Sequence, residues 1–166
     1  MALRVRKRYL HRPALDPHGP FWQGYRWSEW YAFPSFLAEP IARDDTAPLG
    51  GAGIYRFAVP RRRGLLYIGQ ASRLRRRLSG HARAVTDILG PHTRRHLGFH
   101  YELAAYVHGE GKVQVSWTPL DSLGKPDRLG IECDLIAAHR GTVGCNPNWQ
   151  FLPMGSGGDV ADFGAD

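Results

Sequence analysis

Two short runs rich in β-branched and aromatic residues, Ile54–Val59 (IYRFAV) and Gly64–Gly69 (GLLYIG), stand near the middle of the chain. The turn residues Pro60–Arg63 between them predict a hairpin. Downstream, Leu74, Leu78, Ala82, Val85 and Leu89 recur every three or four positions. This is the period of a helix with one buried face, opening at Ala71 or Ser72 and stopped by Gly90-Pro91. Residues 92–109 carry Leu97, Tyr101, Ala104 and Val107 at helical spacing, although the GEGK turn at 109–112 also allows a hairpin. A helix is the expectation. Lys112–Thr118 (KVQVSWT) alternates strictly and predicts a third strand. Asp127 is the expected N-cap of a last helix, which carries Ile131, Leu135 and Ala138 and ends near Gly141.

This order predicts a small α/β (α+β) domain: a three-stranded, mainly antiparallel sheet flanked by helices over residues 50–152. Residues 1–49 differ in composition, with a basic arm (Arg4, Arg6, Lys7, Arg8, Arg12), then Pro13, Pro17 and Pro20, and an aromatic cluster from Phe21 to Phe36. Trp22, Tyr25, Trp27, Trp30, Tyr31 and Phe33 are of the kind that stack on unpaired bases. Dense aromatics are more often buried packing, and an extension packed on the core is expected. The Gly- and Asp-rich stretch 153–166 is expected to be a flexible acidic tail.

Charge changes the picture. The 166 residues include 22 Lys+Arg against 15 Asp+Glu, a net +7, and most of the basic residues are Arg. A basic, Arg-rich surface favours a polyanionic partner, because the guanidinium fork matches phosphate oxygens. No run approaches the roughly 18 uninterrupted apolar residues of a membrane span, and the basic start lacks a signal's apolar run, so a cytoplasmic protein is expected. Cys133 and Cys145 have no zinc-ligand spacing and are read as reduced, structural thiols.

The candidate chemistry begins with Gly53-Ile54-Tyr55 and Tyr67-Ile68-Gly69 on the two hairpin strands. Arg73, Arg77 and His81, spaced i, i+4 and i+8, share a helix stripe one residue away from the core stripe. Arg75 and Arg76 point away from it. Glu132, next to Ile131 and one turn before Ile136, sits at the margin of the last helix's buried face, and Asn146 follows in CNPNW. With these residues the chain resembles the GIY-YIG endonuclease family, named for the two tripeptides. The resemblance covers about residues 50–150.

The resemblance implies an Mg²⁺-dependent phosphodiesterase, with Mn²⁺ as the alternative ion. Its candidate catalytic set is Tyr55, Tyr67, Arg77, His81, Glu132 and Asn146, with Glu132 as metal ligand. One carboxylate suffices for an Mg²⁺ ion that keeps waters and substrate phosphates. Arg77 is the expected partner of the scissile phosphate; Tyr55 and His81 are rival groups for the attacking water; Asn148 rivals Asn146. Gln70, where many members carry Lys, departs from the pattern. Arg73, Gln70, Arg61, Arg62 and Arg63 are expected to contact the nucleic acid. DNA is the expected substrate, and nothing in these residues excludes RNA. Without a separate targeting domain, specificity is expected from the N-terminal extension, a homo-oligomer or a partner protein. The rival expectation is a nucleic-acid-binding module on the same fold with weak or no cleavage.

His92, His96 and His100 also stand at i, i+4, i+8. They are discounted as a second metal site, because Gly98 interrupts the helix and no carboxylate completes the set. Surface histidines are expected instead.

Overall fold

The central strand is buried on both faces. In a computed structural model, which describes residues 15–38, 48–91, 95–109 and 112–151, all six residues of Gly53–Ala58 are buried. The strands are β1 (Tyr31–Ala32), β2 (Gly53–Ala58), β3 (Tyr67–Ala71) and β4 (Gln114–Pro119); the helices are α1 (Leu74–Leu89), α2 (Gly98–His108) and α3 (Lys125–Val143). The sheet runs β1-β4-β2-β3 with every neighbouring pair antiparallel. Three strands were expected and four are present among the described residues. The fourth, β1, is two residues long and too short to show a period; it is defined by pairing Tyr31 with Val115 and Ala32 with Gln114.

Strand alternation divides the side chains between two cores. Tyr55, Phe57, Val115 and Trp117 face a cluster with Leu74, Leu78 and Val85 of α1 and Phe99, Leu103 and Ala104 of α2. Ile54, Ala58 and Ile68 face the other way, onto Leu135 and Ile136 of α3 and onto Trp22 and Trp27. A sheet covered on both sides makes its central strand a nearly continuous apolar run, which is the pattern of β2.

Arg56 is the exception in that run, and it explains the aromatic cluster. Its side chain is fully buried. The guanidinium lies 4.1 Å from the Trp27 ring centroid and 4.7 Å from that of Trp30, donates to the carbonyl of Gly19 at 2.9 Å and also to that of Pro17. Burial pulls its pKa down to about 9, so it still carries its charge at neutral pH. One strand residue thus fastens the segment around residues 17–30 to the sheet by cation–π contact and charged hydrogen bonds. Arg56→Met is expected to cost about 3 kcal/mol, since it strands two buried carbonyls. Denaturant unfolding followed by Trp fluorescence measures this, and an unchanged midpoint would refute it.

The helix ends follow local chemistry, with corrections. α1 starts at Leu74, after N-cap Arg73, and its first N–H groups are met by loop carbonyls: Leu74 by Gly51 and Arg75 by Leu49. Leu89, expected in the core, is exposed. α3 starts two residues before the expected cap. Gly124 is its N-cap, Pro126 stands in its first positions, and Asp127 is in its first turn, where a negative charge suits the helix dipole. It ends on Gly144 at φ 96°, the left-handed conformation that glycine adopts without a Cβ clash. Residues 98–108 form the expected helix, with Gly98 as its first residue and not an interruption.

Cys133 and Cys145 are exposed, so neither is a core thiol. No helix among the described residues is long and apolar enough to cross a membrane. The basic arm, the tail beyond residue 151, His92 and Arg94 lie outside the described residues.

Candidate active site

The two tripeptides meet in the β2–β3 register, where Tyr55 pairs with Gly69 and Phe57 with Tyr67. Paired residues point to the same face, so Tyr55, Gly69 and Tyr67 share the face beneath α1 and α2. Gly69 leaves the space into which both tyrosines lean. A Cβ there would stand 2.5 Å from the Tyr55 Oη and 2.7 Å from Cε1 of Tyr67. Gly53 is required for a different approach, since its Cβ would lie 2.3 Å from the Thr118 carbonyl oxygen and 2.8 Å from a Leu74 methyl. The glycines of the two tripeptides therefore serve close packing: one lets α1 descend onto the sheet, the other lets the two phenols converge.

Along α1 the stripe Arg73, Arg77, His81 runs from exposed through half-buried to buried. Arg77 sits where solvent gives way to core. His81 is 4% exposed and contacts the Tyr55 hydroxyl through Nε2 at 2.7 Å. It lies behind Tyr55, and its other nitrogen, Nδ1, contacts Nε2 of His100 at 2.9 Å.

Glu132 approaches from the opposite side. α3 packs on the other face of the sheet, and β3 is the edge strand, so the Glu132 carboxylate reaches the edge and accepts the Gln70 backbone N–H. Gln150 does the same one pair along, its Oε1 accepting from the Ile68 N–H at 3.1 Å. Tyr55, Tyr67, Arg77 and Glu132 act on one another electrostatically across this edge.

Burial sets the protonation of the group. It raises Glu132 to about 7, against the opposing Gln70 N–H and Arg77 charge. It raises Tyr67 to about 12, helped by Glu132, and holds Tyr55 well above the usual phenol value, helped by Tyr67. His81 is held well below the usual imidazole value by burial, then by His100 and Arg77. At neutral pH the two phenols and His81 are uncharged.

No protein-family model and no curated protein compared matches the chain. Two solved structures are similar to it, both point mutants of the GIY-YIG N-terminal endonuclease domain of UvrC from Thermotoga maritima, described as bound to its catalytic divalent cation. They are 20% and 19% identical to this chain, cover 69% of it and 98% of their own length, and superpose with a TM-score of 0.38 each. Both are structures of a GIY-YIG endonuclease domain. The chemistry of the site rests on this chain's own side chains.

The other candidates fall outside the convergence. Arg61, Arg62 and Arg63 are exposed in the hairpin turn, beyond the last β2–β3 pair, and Arg62 donates to the Tyr106 hydroxyl at 2.9 Å. Asn146 and Asn148 follow α3 in a segment bonded to the chain entering β3, through Asn148 N–H to Leu65 and Trp149 N–H to Leu66. The Asn146 Oδ1 is buried without a hydrogen-bond partner, whereas Asn148 is exposed. The Gln70 side chain is engaged, its Oε1 accepting from Arg128 Nε at 3.3 Å.

Two residues went unrecognised in the sequence. Arg128, buried one turn before Glu132, ties Gln70 to Ser72 by donating to both side chains. As a charged residue it carried no sign of burial. His100 was expected at the surface and is 3% exposed. Its helical spacing with Leu103 and Ala104 was the available signal, since all three fall on the face turned to the core.

Proposed function

We propose that the protein hydrolyses phosphodiester bonds of DNA, with a divalent cation, Mg²⁺ or Mn²⁺, held at Glu132. The observation that carries this is the convergence of Tyr55, Tyr67, Arg77 and Glu132 at one edge of the sheet from four separate elements.

The donor set fits such an ion. Glu132 is a carboxylate raised to about 7 by burial, so its ionised form gains from a neighbouring cation. Among the described residues no group of three or more His, Cys, Asp or Glu is arranged as a metal cage. A site with one protein carboxylate, completed by water and phosphate, is the kind that Mg²⁺ accepts. When bound, the ion supplies charge to the phosphoryl oxygens and a water of lowered pKa.

The protein's own side chains divide the remaining work. Arg77, half-buried and fixed on α1, pairs with phosphate oxygens and stabilises the charge that accumulates on them. The Tyr55 hydroxyl orients the attacking water and passes its proton to His81 Nε2 as it takes one from the water. Because His81 lies behind Tyr55, it serves as acceptor for the tyrosine and does not meet the water itself. Tyr67 holds the neighbouring hydroxyl position, and Asn146 is assigned to the substrate backbone, where its side-chain NH2 would donate to a phosphate oxygen. Arg73 lines the approach for the polyanion.

Plasmid, single-stranded and branched DNA, incubated with Mg²⁺, Mn²⁺ or chelator, test the proposal. Metal-dependent cutting is expected. Arg77→Ala is expected to lower kcat at least ~10²-fold with its fold intact by circular dichroism, as for other preorganised charge-stabilising donors. Salt-sensitive binding without cutting under any metal would mark a binding module, since phosphate contacts release counterions and weaken with salt. Absence of any DNA affinity would refute both.

A further inference from the structure

We propose that His100 is a positioning residue that fixes the tautomer of His81, so that His81 presents a bare Nε2 to the Tyr55 hydroxyl. The proposal rests on the nuclease reading for its catalytic meaning, but the tautomer itself is a property of the folded protein alone.

The contacts form one line. The Tyr55 Oη lies 2.7 Å from His81 Nε2, and His81 Nδ1 lies 2.9 Å from His100 Nε2. All three residues are no more than 4% exposed. The Tyr55 Oη also shares a hydrogen bond with the Tyr67 hydroxyl; of its two partners the imidazole nitrogen is the stronger acceptor, so the Tyr55 O–H points to Nε2 and the Tyr67 hydroxyl donates to Oη. A neutral imidazole has one proton, which must then sit on Nδ1. It needs an acceptor there, and His100 Nε2 supplies it. His100 in turn carries its proton on Nδ1, a buried atom without a hydrogen-bond partner. The chain thus leaves one polar atom of His100 unsatisfied, an expense accepted where the opposite end of the line is set in place.

Other groups around the line are accounted for. Arg77, His81 and Asp87 face it from α1, His96 from the segment before α2, and Tyr55 and Tyr67 from the sheet. Asp87 lies 3.8 Å from His96 Nε2. Burial, then His96 and Arg77, lowers His100 to about 4, so it acts as a neutral acceptor. The transfer balances simply. As Tyr55 takes a proton from water, its own proton passes to His81 Nε2, and His81, already protonated at Nδ1, becomes an imidazolium whose Nδ1–H is held by His100. The hydroxide forms the new bond to phosphorus as the bond to the departing alkoxide breaks, and the alkoxide takes a proton from solvent.

Two variants separate orientation from packing. In His100→Gln the amide oxygen still accepts from His81 Nδ1; in His100→Phe the ring volume stays and the acceptor is lost. Imidazole nitrogen shifts read by NMR on ¹⁵N-histidine-labelled, metal-free protein are expected to place the His81 proton on Nδ1 in the wild type and in His100→Gln. In His100→Phe that preference is expected to be lost. In cleavage, His100→Phe is expected to lose ~10²-fold in kcat with KM little changed, and His100→Gln to stay within ~10-fold of wild type, the cost of a misoriented reacting group. Overturning results are a wild-type His81 protonated at Nε2, or folded Phe and Gln variants that lose the same activity. A wild-type protein that never cuts would remove the nuclease reading, while the nitrogen shifts would still decide the role of His100.

Discussion

Glu132→Gln is expected to make the metal-free protein more stable above pH 7 while abolishing metal-dependent cleavage. The two effects have one origin. Burial raises the Glu132 carboxyl from about 4.5 to about 7. A carboxyl raised by folding contributes stability that is fully present below its unfolded pKa near 4.5 and is lost as pH rises through about 7. At pH 5 the acid is largely neutral in the fold, and the amide should match it. At pH 8 the wild type holds a half-buried charge that the amide lacks, and the variant should be favoured by about 2 kcal/mol. Thermal melts at pH 5 and pH 8 in chelator measure this; equal differences at the two values would exclude it. Added Mg²⁺ should then stabilise the wild type at pH 8 and leave the variant unmoved, because only a site that binds the folded form shifts the equilibrium. Cleavage should fall to background in the variant, as Glu132 is the carboxylate among the four converging groups.

Gly69→Ala is the second large effect, and here the backbone is ordinary strand and the obstacle is contact. The added methyl would stand 2.5 Å from the Tyr55 Oη and 2.7 Å from both Cζ of Tyr55 and Cε1 of Tyr67. Neither ring can swing aside, because Tyr55 is 2% exposed and Tyr67 stacks on Phe99 with ring centroids 4.5 Å apart. Overpacking should cost about 1–3 kcal/mol. Displacing the two hydroxyls should lower kcat by ~10²-fold or more, since reacting groups tolerate little misplacement. Gly80, in α1 with nothing within 4 Å of an added Cβ, provides the control. Gly80→Ala should leave cleavage unchanged and stabilise the helix by about 0.5–1 kcal/mol. Equal activity losses at the two positions would show that Gly69 has no special place under the tyrosines.

The local patterns read well from the chain. The hairpin of β2 and β3, the apolar stripe of α1 with its stop at Gly90, and the alternation of β4 depend on neighbours within a few residues, and each appears near its expected position. β1 did not, because two residues carry no period. Asp127 was mistaken for a cap because its residue type suits that place, while Pro126 just before it suits an early helical position equally well. The stripe Arg73, Arg77, His81 was visible as spacing, but its gradient from exposed to buried was not.

Sequence alone determined the hairpin strands, β4 and the three helices, the basic character, and which residue types stand at the two tripeptides and at positions 77, 81 and 132. Tertiary structure decided the rest, for a physical reason. Gly53-Ile54-Tyr55 and Tyr67-Ile68-Gly69 name two strands, but only their register places Gly69 beneath both phenols. Arg56 is buried because Trp27, Trp30 and the carbonyls of Pro17 and Gly19, distant in the chain, enclose it. Glu132 and His100 change their proton affinity because other elements exclude water from them. Burial and proton affinity depend on everything that surrounds a side chain, and that surrounding is assembled by long-range packing, which no local window of sequence contains.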